Sequence, residues 1–434
     1  MPGPGREYFP LGANTPTIRI SFTFWEARVT LPDGFLWGVS TSAFQIEGAF
    51  GEDGRVPSVW DDFPAFEGQH AAVACDHYHR YREDVALVRE LGVGAYRFSV
   101  AWPRLADLGF YDRLVDLLLD NGIAPVATLY HWDTPKHVED AGGWLARDTA
   151  FRFAEYAEAV AARLADRVAL WIPINEPAIL TLLGHAVGQH APGKALLYDA
   201  LPAAHHLNLA HGLAVQALRA SGARAVGTAN NHTPAWPATP DDVEAAHAYS
   251  TLHNWLFTDP LLAGTYPAEL ADRLPVRDGD LAITAQPLDF YGVNYYNPTR
   301  LRGPGEGNPL PFELVDIDEY PKTAFDWPVV PSGLGEVVAA LRDRHPNLPP
   351  VYVTESGCSF GEDVEDADRI AYLDGHITAA LAAGVRGYFV WSLMDNFEWD
   401  SGYSQRFGLV HVDYETQKRT PRASFAWYRD RIRR

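Results

Sequence analysis

Eight short apolar segments alternate with longer segments of helical periodicity, and this alternation constrains the fold more than any other feature of the chain. The apolar segments have the length of strands and are rich in Val, Ile, Tyr, Phe or Trp. They predict strands over residues 35–41, 95–102, 124–132, 169–175, 225–231, 289–296, 351–355 and 387–393. Between them, apolar side chains at helical spacing predict helices over residues 78–91, 110–121, 149–165, 207–220 and 370–383.

A chain in which eight strands alternate with helices is an α/β protein, most simply a single (β/α)8 TIM barrel. The structural rival is a doubly wound open sheet, which usually has a glycine-rich phosphate turn after its first strand, and this sequence has none there. We therefore expect one catalytic barrel over residues 31–434. Residues 1–30 contain scattered prolines and lack the apolar centre of a signal peptide, so we expect a disordered N-terminal extension there.

The charge balance of the chain argues against two classes of partner. With 35 Lys and Arg against 56 Asp and Glu, the formal net charge is −21, whereas nucleic acid and anionic membranes bind basic surfaces. No apolar run approaches the roughly 18 residues of a membrane span. Cys75 and Cys358 are too few for a disulfide framework, which predicts free thiols and a cytoplasmic location. The sequence leaves open whether homo-oligomers form.

Two glutamates stand where the reactive groups of a barrel are expected, at the carboxyl ends of predicted strands four and seven. Glu176 lies in the string NEP after one apolar segment, and Glu355 lies in the string TESG at the end of the other. Strands four and seven lie on facing parts of the same rim. Two facing carboxyl groups are what glycoside cleavage requires, because one protonates the leaving oxygen while the other attacks the sugar carbon or activates water.

Polar and aromatic side chains at the other strand ends fit a sugar pocket. Sugars carry many hydroxyl groups and an apolar face, so their pockets need fixed hydrogen-bonding groups and flat aromatic walls. Arg97, in predicted strand two, is placed to keep a nucleophilic carboxylate ionised. The other candidates at strand ends are Gln45, Glu47, His131, Trp132, Asn294, Tyr296, Trp391, Asn396, Glu398 and Trp399.

Several strings, taken in order, resemble glycoside hydrolase family 1, the β-glucosidase-type (β/α)8 enzymes. FLWGVSTSAFQIEG at residues 35–48 resembles the N-terminal signature of that family. The resemblance covers nearly the whole chain from residue 31 onward. The strings that follow in the family's order are CDHYHRY at 75–81, YHWD at 130–133, NEP at 175–177, NYY at 294–296, TESG at 354–357, WSLMDNFEW at 391–399, RFGLV at 406–410 and TP at 420–421.

The resemblance implies a retaining exo-β-glycosidase that acts through a covalent glycosyl-enzyme intermediate and needs no metal or other cofactor. It implies that Glu176 is the acid/base and that Glu355 is the nucleophile, with Arg97 and Tyr296 beside it. It further implies that Asn175 binds the sugar 2-hydroxyl. The remaining sugar-binding residues that it implies are Gln45, His131, Glu398 and Trp399 around the hydroxyls, Trp391 under the ring, Phe407 as an aromatic wall and Trp327 on the leaving-group side.

The histidine pairs of the sequence do not change the expectation that no metal binds. His77 and His79 are two residues apart, and His205 and His206 are adjacent. Neither pair has the i, i+4 spacing that places two ligands on one face of a helix.

The resemblance also bears on the substrate. Phospho-glycosidases of the family usually carry a smaller residue at the position of Trp399 and basic residues nearby, whereas here no Lys or Arg stands between Trp399 and Arg406. This favours unphosphorylated β-glucosides, β-galactosides, β-fucosides or short β-linked oligosaccharides. The stretch at 105–109 is shorter than usual in the family, which predicts a more open leaving-group side. A transglycosidase and a catalytically weak glycan-binding barrel are the alternatives.

Overall fold

A computed structural model describes residues 34–433. The N-terminal extension expected over residues 1–30 lies outside the described residues, and its boundary with the barrel stays a prediction. The barrel strands are β1 (Leu36–Ser40), β2 (Ala95–Ser99), β3 (Ala124–Tyr130), β4 (Leu170–Ile174), β5 (Gly227–Asn231), β6 (Phe290–Asn294), β7 (Val351–Ser356) and β8 (Gly387–Trp391).

The eight strands form one parallel sheet that closes on itself. They run in the order β4-β3-β2-β1-β8-β7-β6-β5, each parallel to its neighbours. β4 and β5, at the two ends of this order, are joined by parallel bridges from Trp171 to Val226 and from Asn175 to Ala229. The predicted (β/α)8 barrel is therefore confirmed: each predicted strand overlaps one strand of the barrel, and only β7 extends beyond its prediction, by one residue, to Ser356.

Helices follow the strands, and the five predicted helices are all present. Their bounds are His77–Leu91, Gly109–Asp120, Asp148–Leu164, Leu201–Ala220 and Ala367–Ala382. The first ends at Gly92, whose φ of 79° is the left-handed conformation that a glycine adopts without a steric penalty. The other α-helices of four or more residues are Ala43–Ile46, Lys136–Asp140, Val243–Ser250, Leu256–Leu262, Ala268–Ala271, Asp280–Thr284, Ser332–Arg344 and Ala423–Ile432.

Side chains fill the interior of the barrel. β1 makes room for this filling at Gly38, where a Cβ atom would lie 2.2 Å from the ring of Phe389 on the neighbouring β8. Protein interiors are close-packed, so a larger residue at this position would displace the ring. The buried cluster at the centre consists of Ala95, Val126, Ile172, Ala229, Phe290 and Phe389 from six of the strands.

Two small sheets are added outside the barrel. Ala235–Pro237, Thr299–Arg302 and Glu313–Val315 form the first, and Val410–Asp413 pairs with Lys418–Pro421 in the second. Two strands of the first sheet lie in the long segment that connects β6 to the helix Ser332–Arg344. Within residues 34–433, none of the helices combines the length and apolar character that crossing a bilayer demands.

Candidate active site

The carboxyl ends of the barrel strands open into a cavity of about 610 Å³. This volume falls within the roughly 300–1,000 Å³ that is typical of small-molecule sites. The candidates from the sequence that line the cavity are His131, Trp132, Glu176, Tyr296, Trp327, Glu355, Trp391, Glu398, Trp399 and Phe407. Four further candidates are buried, and each makes a hydrogen bond to a residue that lines the cavity: Gln45, Arg97, Asn175 and Asn294.

Glu176 is held at a sharp bend after β4. Its backbone has a φ of 47°, in the left-handed region, and its N–H donates to the carbonyl oxygen of Ala229 at 2.8 Å. Pro177 then begins a helical turn, a position that suits proline because no N–H is needed there. The amide groups of Asn294 and Asn231 donate to Oε1 of Glu176 at 2.8 and 3.2 Å. The carboxyl group is therefore fixed in both position and orientation.

Glu355 belongs to β7, and both of its carboxylate oxygens accept hydrogen bonds. Nη1 of Arg97 donates to Oε1 at 2.5 Å, and the hydroxyl group of Tyr296 donates to Oε2 at 2.8 Å. Arg97 also donates to the backbone carbonyl of Thr354 at 3.0 Å. Bonds to an ionised carboxylate are the stronger kind of hydrogen bond, so these donors favour the charged form of Glu355.

The two glutamates have different surroundings, and these surroundings act differently on the pKa of each carboxyl group. Burial, and then the negative charge of Glu355, raise the pKa of Glu176 to about 8. Burial also raises the pKa of Glu355, but the charge of Arg97 and the hydroxyl of Tyr296 oppose this effect directly. The side-chain donors on Glu176 are neutral amides, which oppose its protonation less than the charged Arg97 opposes the protonation of Glu355. These surroundings favour the proton on Glu176 and the negative charge on Glu355.

A buried hydrogen-bond network joins the two glutamates. Nη2 of Arg97 donates to Oδ1 of Asn175 at 2.7 Å, and Nδ2 of Asn294 donates to the same oxygen at 3.1 Å. Arg97 bonds to Glu355 at its other end, and Asn294 bonds to Glu176. The positions of the two carboxyl groups are thus set by side chains from β2, β6, β7 and the end of β4.

The same network positions His131. Because Oδ1 of Asn175 accepts two donors, its Nδ2 is the atom that faces Nε2 of His131, at 3.1 Å. Burial, and then the nearby charge of Arg97, hold the pKa of His131 well below its ordinary value. The imidazole is therefore neutral at physiological pH, and it carries one donor and one acceptor.

A second polar group of the cavity wall is centred on Glu398. Nε2 of Gln45 donates to Oε2 of Glu398 at 3.2 Å and to Oδ1 of Asn396 at 2.9 Å. Burial, and then the charge of Glu355, raise the pKa of Glu398 to about 8. A carboxyl group in this state both donates and accepts hydrogen bonds, which suits neighbouring hydroxyl groups of a sugar.

Aromatic rings form the rest of the wall. Trp391 lies nearly parallel to the imidazole of His131, with 5.7 Å between ring centroids and 22° between planes. Trp399 is 3% exposed and packs against Trp132 with the centroids 4.6 Å apart. A separate group surrounds Trp327, which stacks on Phe325 at 4.5 Å and contacts Phe407 and Tyr296 at 6.2 and 5.5 Å.

Several residues of this site were not predicted from the sequence. Asn231 bonds to Glu176 and stands at the end of β5, so the strand-end rule already pointed to it. Thr354 donates to Oδ1 of Asn294 at 2.6 Å and thereby fixes which atom of that amide faces Glu176. Phe325 lines the cavity from the long segment after β6, where no strand end marks it.

Within residues 34–433, no cluster of three or more His, Cys, Asp or Glu side chains is arranged to hold a metal ion. The conspicuous histidines have protein partners. Nδ1 of His77 lies 2.8 Å from Asp84, and Nε2 of His205 lies 2.9 Å from Asp280.

A (β/α)8 barrel with two buried glutamates in one cavity at its carboxyl-end rim, one of them paired with an arginine, is typical of glycoside-cleaving barrels. The family model described as Glycosyl hydrolase family 1 matches residues 27–434. The chain belongs to glycosyl hydrolase family 1.

Characterised relatives match over most of their own length. The thermostable beta-glucosidase B of Thermobispora bispora is 45% identical over 439 residues, which cover 94% of this chain and 91% of that protein. The bifunctional beta-D-glucosidase/beta-D-fucosidase of Bifidobacterium breve is 42% identical to this chain. The alignment covers 92% of this chain and 97% of that protein. The crystal structure of the psychrophilic beta-glucosidase BglU from Micrococcus antarcticus is 43% identical with a TM-score of 0.88, covering 93% of this chain and 97% of that one.

Proposed function

We propose that this chain is a retaining exo-β-glycosidase that removes terminal nonreducing β-D-glucosyl residues, and β-D-fucosyl or β-D-galactosyl residues as well. The observation that carries the proposal is the pair of buried glutamates in one cavity, whose surroundings favour the proton on Glu176 and the charge on Glu355. Glycoside hydrolysis with retention needs one carboxyl group in each state. The names of the relatives support glucosides and fucosides as substrates.

In the first step, the carboxylate of Glu355 attacks the anomeric carbon while Glu176 gives its proton to the glycosidic oxygen. The bond from the anomeric carbon to that oxygen breaks, and the leaving group departs as a neutral alcohol. Arg97 and Tyr296 hold the attacking group in place from both of its oxygens. The sugar is then joined to Glu355 as an ester.

In the second step, Glu176 acts as a base. Once Glu355 has become an ester, its charge no longer raises the pKa of Glu176, so the carboxylate of Glu176 is more stable than before. It takes a proton from a water molecule, whose oxygen attacks the anomeric carbon from the face that the leaving group occupied. The ester bond breaks, the sugar leaves with its original configuration, and both glutamates return to their starting states.

The other predicted residues bind different parts of the substrate in the proposed reaction. Asn175 and Asn294 act beside the 2-hydroxyl group, because their amides lie between the two glutamates. Trp391 supplies the flat surface under the sugar ring. The groups for the remaining hydroxyls are Gln45, His131, Glu398 and Trp399. Phe407 is an aromatic wall of the cavity, and Trp327 lies on the leaving-group side.

The charges that line the cavity support an unphosphorylated substrate. Among the described residues, the carboxyl groups of the lining belong to Glu176, Glu355, Glu398 and Asp400, and no Lys or Arg lines the cavity. A phosphate group on the sugar would meet only negative or neutral groups there. The two free cysteines, both buried, support the expected cytoplasmic location.

The test is turnover of a panel of nitrophenyl glycosides by the purified protein. The panel contains the β-glucoside, β-galactoside, β-fucoside and β-mannoside, with the α-glucoside and a 6-phospho-β-glucoside as contrasts. Hydrolysis of the unphosphorylated β-sugars, with the β-anomer as the first product seen by NMR, is the expected result. A folded protein that turned over none of them, or that released the α-anomer first, would overturn the proposal. Addition of an alcohol to the same reactions measures how much sugar passes to an acceptor other than water.

A further inference from the structure

The cavity continues from the two glutamates into a region walled by apolar side chains, which we call the apolar arm. Its members come from four separate parts of the chain: the helical segment Leu180–Val187, the turn Leu197–Ala200, the helix Val243–Ser250 and the segment around Glu313–Val315. The side chains that define the arm are Leu182, Val187, Leu197, Tyr249, Phe312 and Leu314, all of which line the same cavity as Glu176 and Glu355.

A chain of contacts connects Glu176 to Tyr249 and Phe312 of the arm. Nδ2 of Asn231 donates to Glu176 at 3.2 Å, and Oδ1 of Asn231 lies 2.8 Å from Nε2 of His253. The His253 ring stacks on Tyr249 at 5.3 Å with 14° between planes, and Tyr249 contacts Phe312 edge-on at 5.2 Å. Glu176 gives its proton to the leaving group, so the arm begins where that group departs.

Three large apolar side chains of the arm are left exposed by the fold. Leu314 is 67% exposed, Val187 is 52% exposed and Leu197 is 38% exposed. Single exposed apolar residues are ordinary on a protein surface, but a group of them along one cavity indicates a ligand that covers them. None of the six side chains that define the arm carries a charge.

From these observations, which rest on the proposed function, we propose that the natural leaving group is an extended apolar one, such as a medium-length alkyl chain or a polycyclic skeleton. A second sugar would place its hydroxyl groups against leucine, valine and phenylalanine side chains, which offer them no hydrogen bonds. An apolar group would instead remove the exposed surface of Leu314, Val187 and Leu197 from water. The arm therefore makes the enzyme selective for glycosides of apolar alcohols over β-linked disaccharides.

The first experiment compares methyl, butyl, hexyl and octyl β-D-glucosides, all below their micelle concentrations, with cellobiose. The acidity of the leaving alcohol scarcely changes along the alkyl series, so differences in kcat/KM report binding of the chain in the arm. We expect kcat/KM to rise at least tenfold from the methyl to the octyl glucoside, and cellobiose to fall below the hexyl compound. A flat alkyl series, or a preference for cellobiose over octyl glucoside, would overturn the inference.

The second experiment removes the apolar surface without touching the glutamates. Leu314→Asn and Val187→Asn are expected to lower kcat/KM for octyl glucoside at least fivefold and to leave that for methyl glucoside within twofold. Leu119→Asn is the matched control, because Leu119 is 42% exposed on the helix Gly109–Asp120 and does not line the cavity. An unchanged response to octyl glucoside in both arm variants would contradict the inference.

The two proposals fail in distinguishable ways. Activity on nitrophenyl β-glucoside together with a flat alkyl series would remove the apolar leaving group and leave the glycosidase in place. A folded protein without activity on any β-glycoside would remove the proposed function and this inference with it.

Discussion

Arg97 and Glu355 form an ion pair that is closed off from solvent, with Nη1 2.5 Å from Oε1 and side chains 1% and 4% exposed. The guanidinium group also donates to Thr128 Oγ1 at 3.1 Å and to Asn175 Oδ1 at 2.7 Å, so it is held from three directions. A lysine could supply the charge but not the planar fork that these bonds use. The residue thus keeps Glu355 ionised and fixed at the same time.

We expect Arg97→Met to cost both stability and activity. Removal of one partner of a buried ion pair leaves a carboxylate without compensation, which typically costs about 3–5 kcal/mol. Urea unfolding measures the stability, and kcat/KM on nitrophenyl β-glucoside should fall at least a hundredfold. Arg113→Met is the control, since Arg113 is exposed on a helix. Equal effects in the two variants would show that the ion pair has no special role.

Glu355→Ala should abolish turnover while the fold and glycoside binding remain. The loss expected is at least about a thousandfold in kcat, because the proposed reaction assigns the attack on the anomeric carbon to Glu355. Added azide should then restore part of the activity with activated aryl glycosides and give the α-glycosyl azide. Glu90→Ala, at an exposed helical position, serves as the control. Near-normal hydrolysis by Glu355→Ala would refute the assignment of the nucleophile.

Glu176→Ala should discriminate between leaving groups. Dinitrophenyl glucoside leaves without protonation, so formation of the intermediate from it should survive, whereas methyl glucoside needs the proton and should lose at least about a hundredfold in kcat/KM. In a plot of log kcat/KM against the pKa of the leaving group, the variant should have a steeper slope than the wild type. Parallel slopes for the variant and the wild type would mean that another residue supplies the proton.

The dependence of activity on pH follows from the state of the two glutamates. Glu176 must be protonated and its pKa is about 8, so kcat/KM should fall as the pH rises through about 8. Glu355 must be ionised, so protonation of this residue gives the acidic limb. In Glu176→Gln, the part of the alkaline limb that Glu176 causes should disappear for dinitrophenyl glucoside, although Glu398, whose pKa is also about 8, can leave a weaker one. An alkaline limb that survives this substitution would have to come from another group.

Stability should also depend on pH through Glu176. The native group titrates near pH 8 and the unfolded one near its ordinary pKa of 4.5, so unfolding releases a proton between these values. The free energy of unfolding contributed by this group therefore falls as the pH rises from about 4.5 to about 8. Glu176→Gln removes the effect, and its Tm should exceed that of the wild type by more at pH 8 than at pH 5. A difference in Tm that is the same at both pH values would contradict this account.

The barrel could be predicted because its strands and helices are long enough to carry a periodic signal. All eight strands and the five helices of the prediction are present, although the helix Leu201–Ala220 begins six residues before the predicted start at 207. The short strands Ala235–Pro237 and Glu313–Val315 escaped prediction, since three residues are too few to show an alternation. Their pairing depends on contacts between distant parts of the chain.

The site could be predicted in part, for a related reason. The strand-end rule and the family resemblance selected residues that the structure does bring to one cavity, such as Glu176 and Glu355. Neither could show that Asn294 bonds to Glu176 while Thr354 fixes its amide, because these contacts depend on how neighbouring strands are aligned. The roles of these residues in the reaction stay predictions until the variants are measured. The apolar arm was hidden for the same reason, as its side chains meet only in the folded chain.

The amide network that joins the two glutamates has a consequence for how enzymes of this design diversify. Arg97, Asn175 and Asn294 all stand on barrel strands or directly at their ends, and none belongs to the long connecting segments. We therefore expect the stereochemistry of the reaction to depend on residues of the barrel strands, and the preference for a leaving group to depend on the connecting segments. Grafting residues 297 to 331 between relatives should transfer the part of the aglycone preference that Phe312 and Leu314 supply, and should leave the anomeric outcome unchanged.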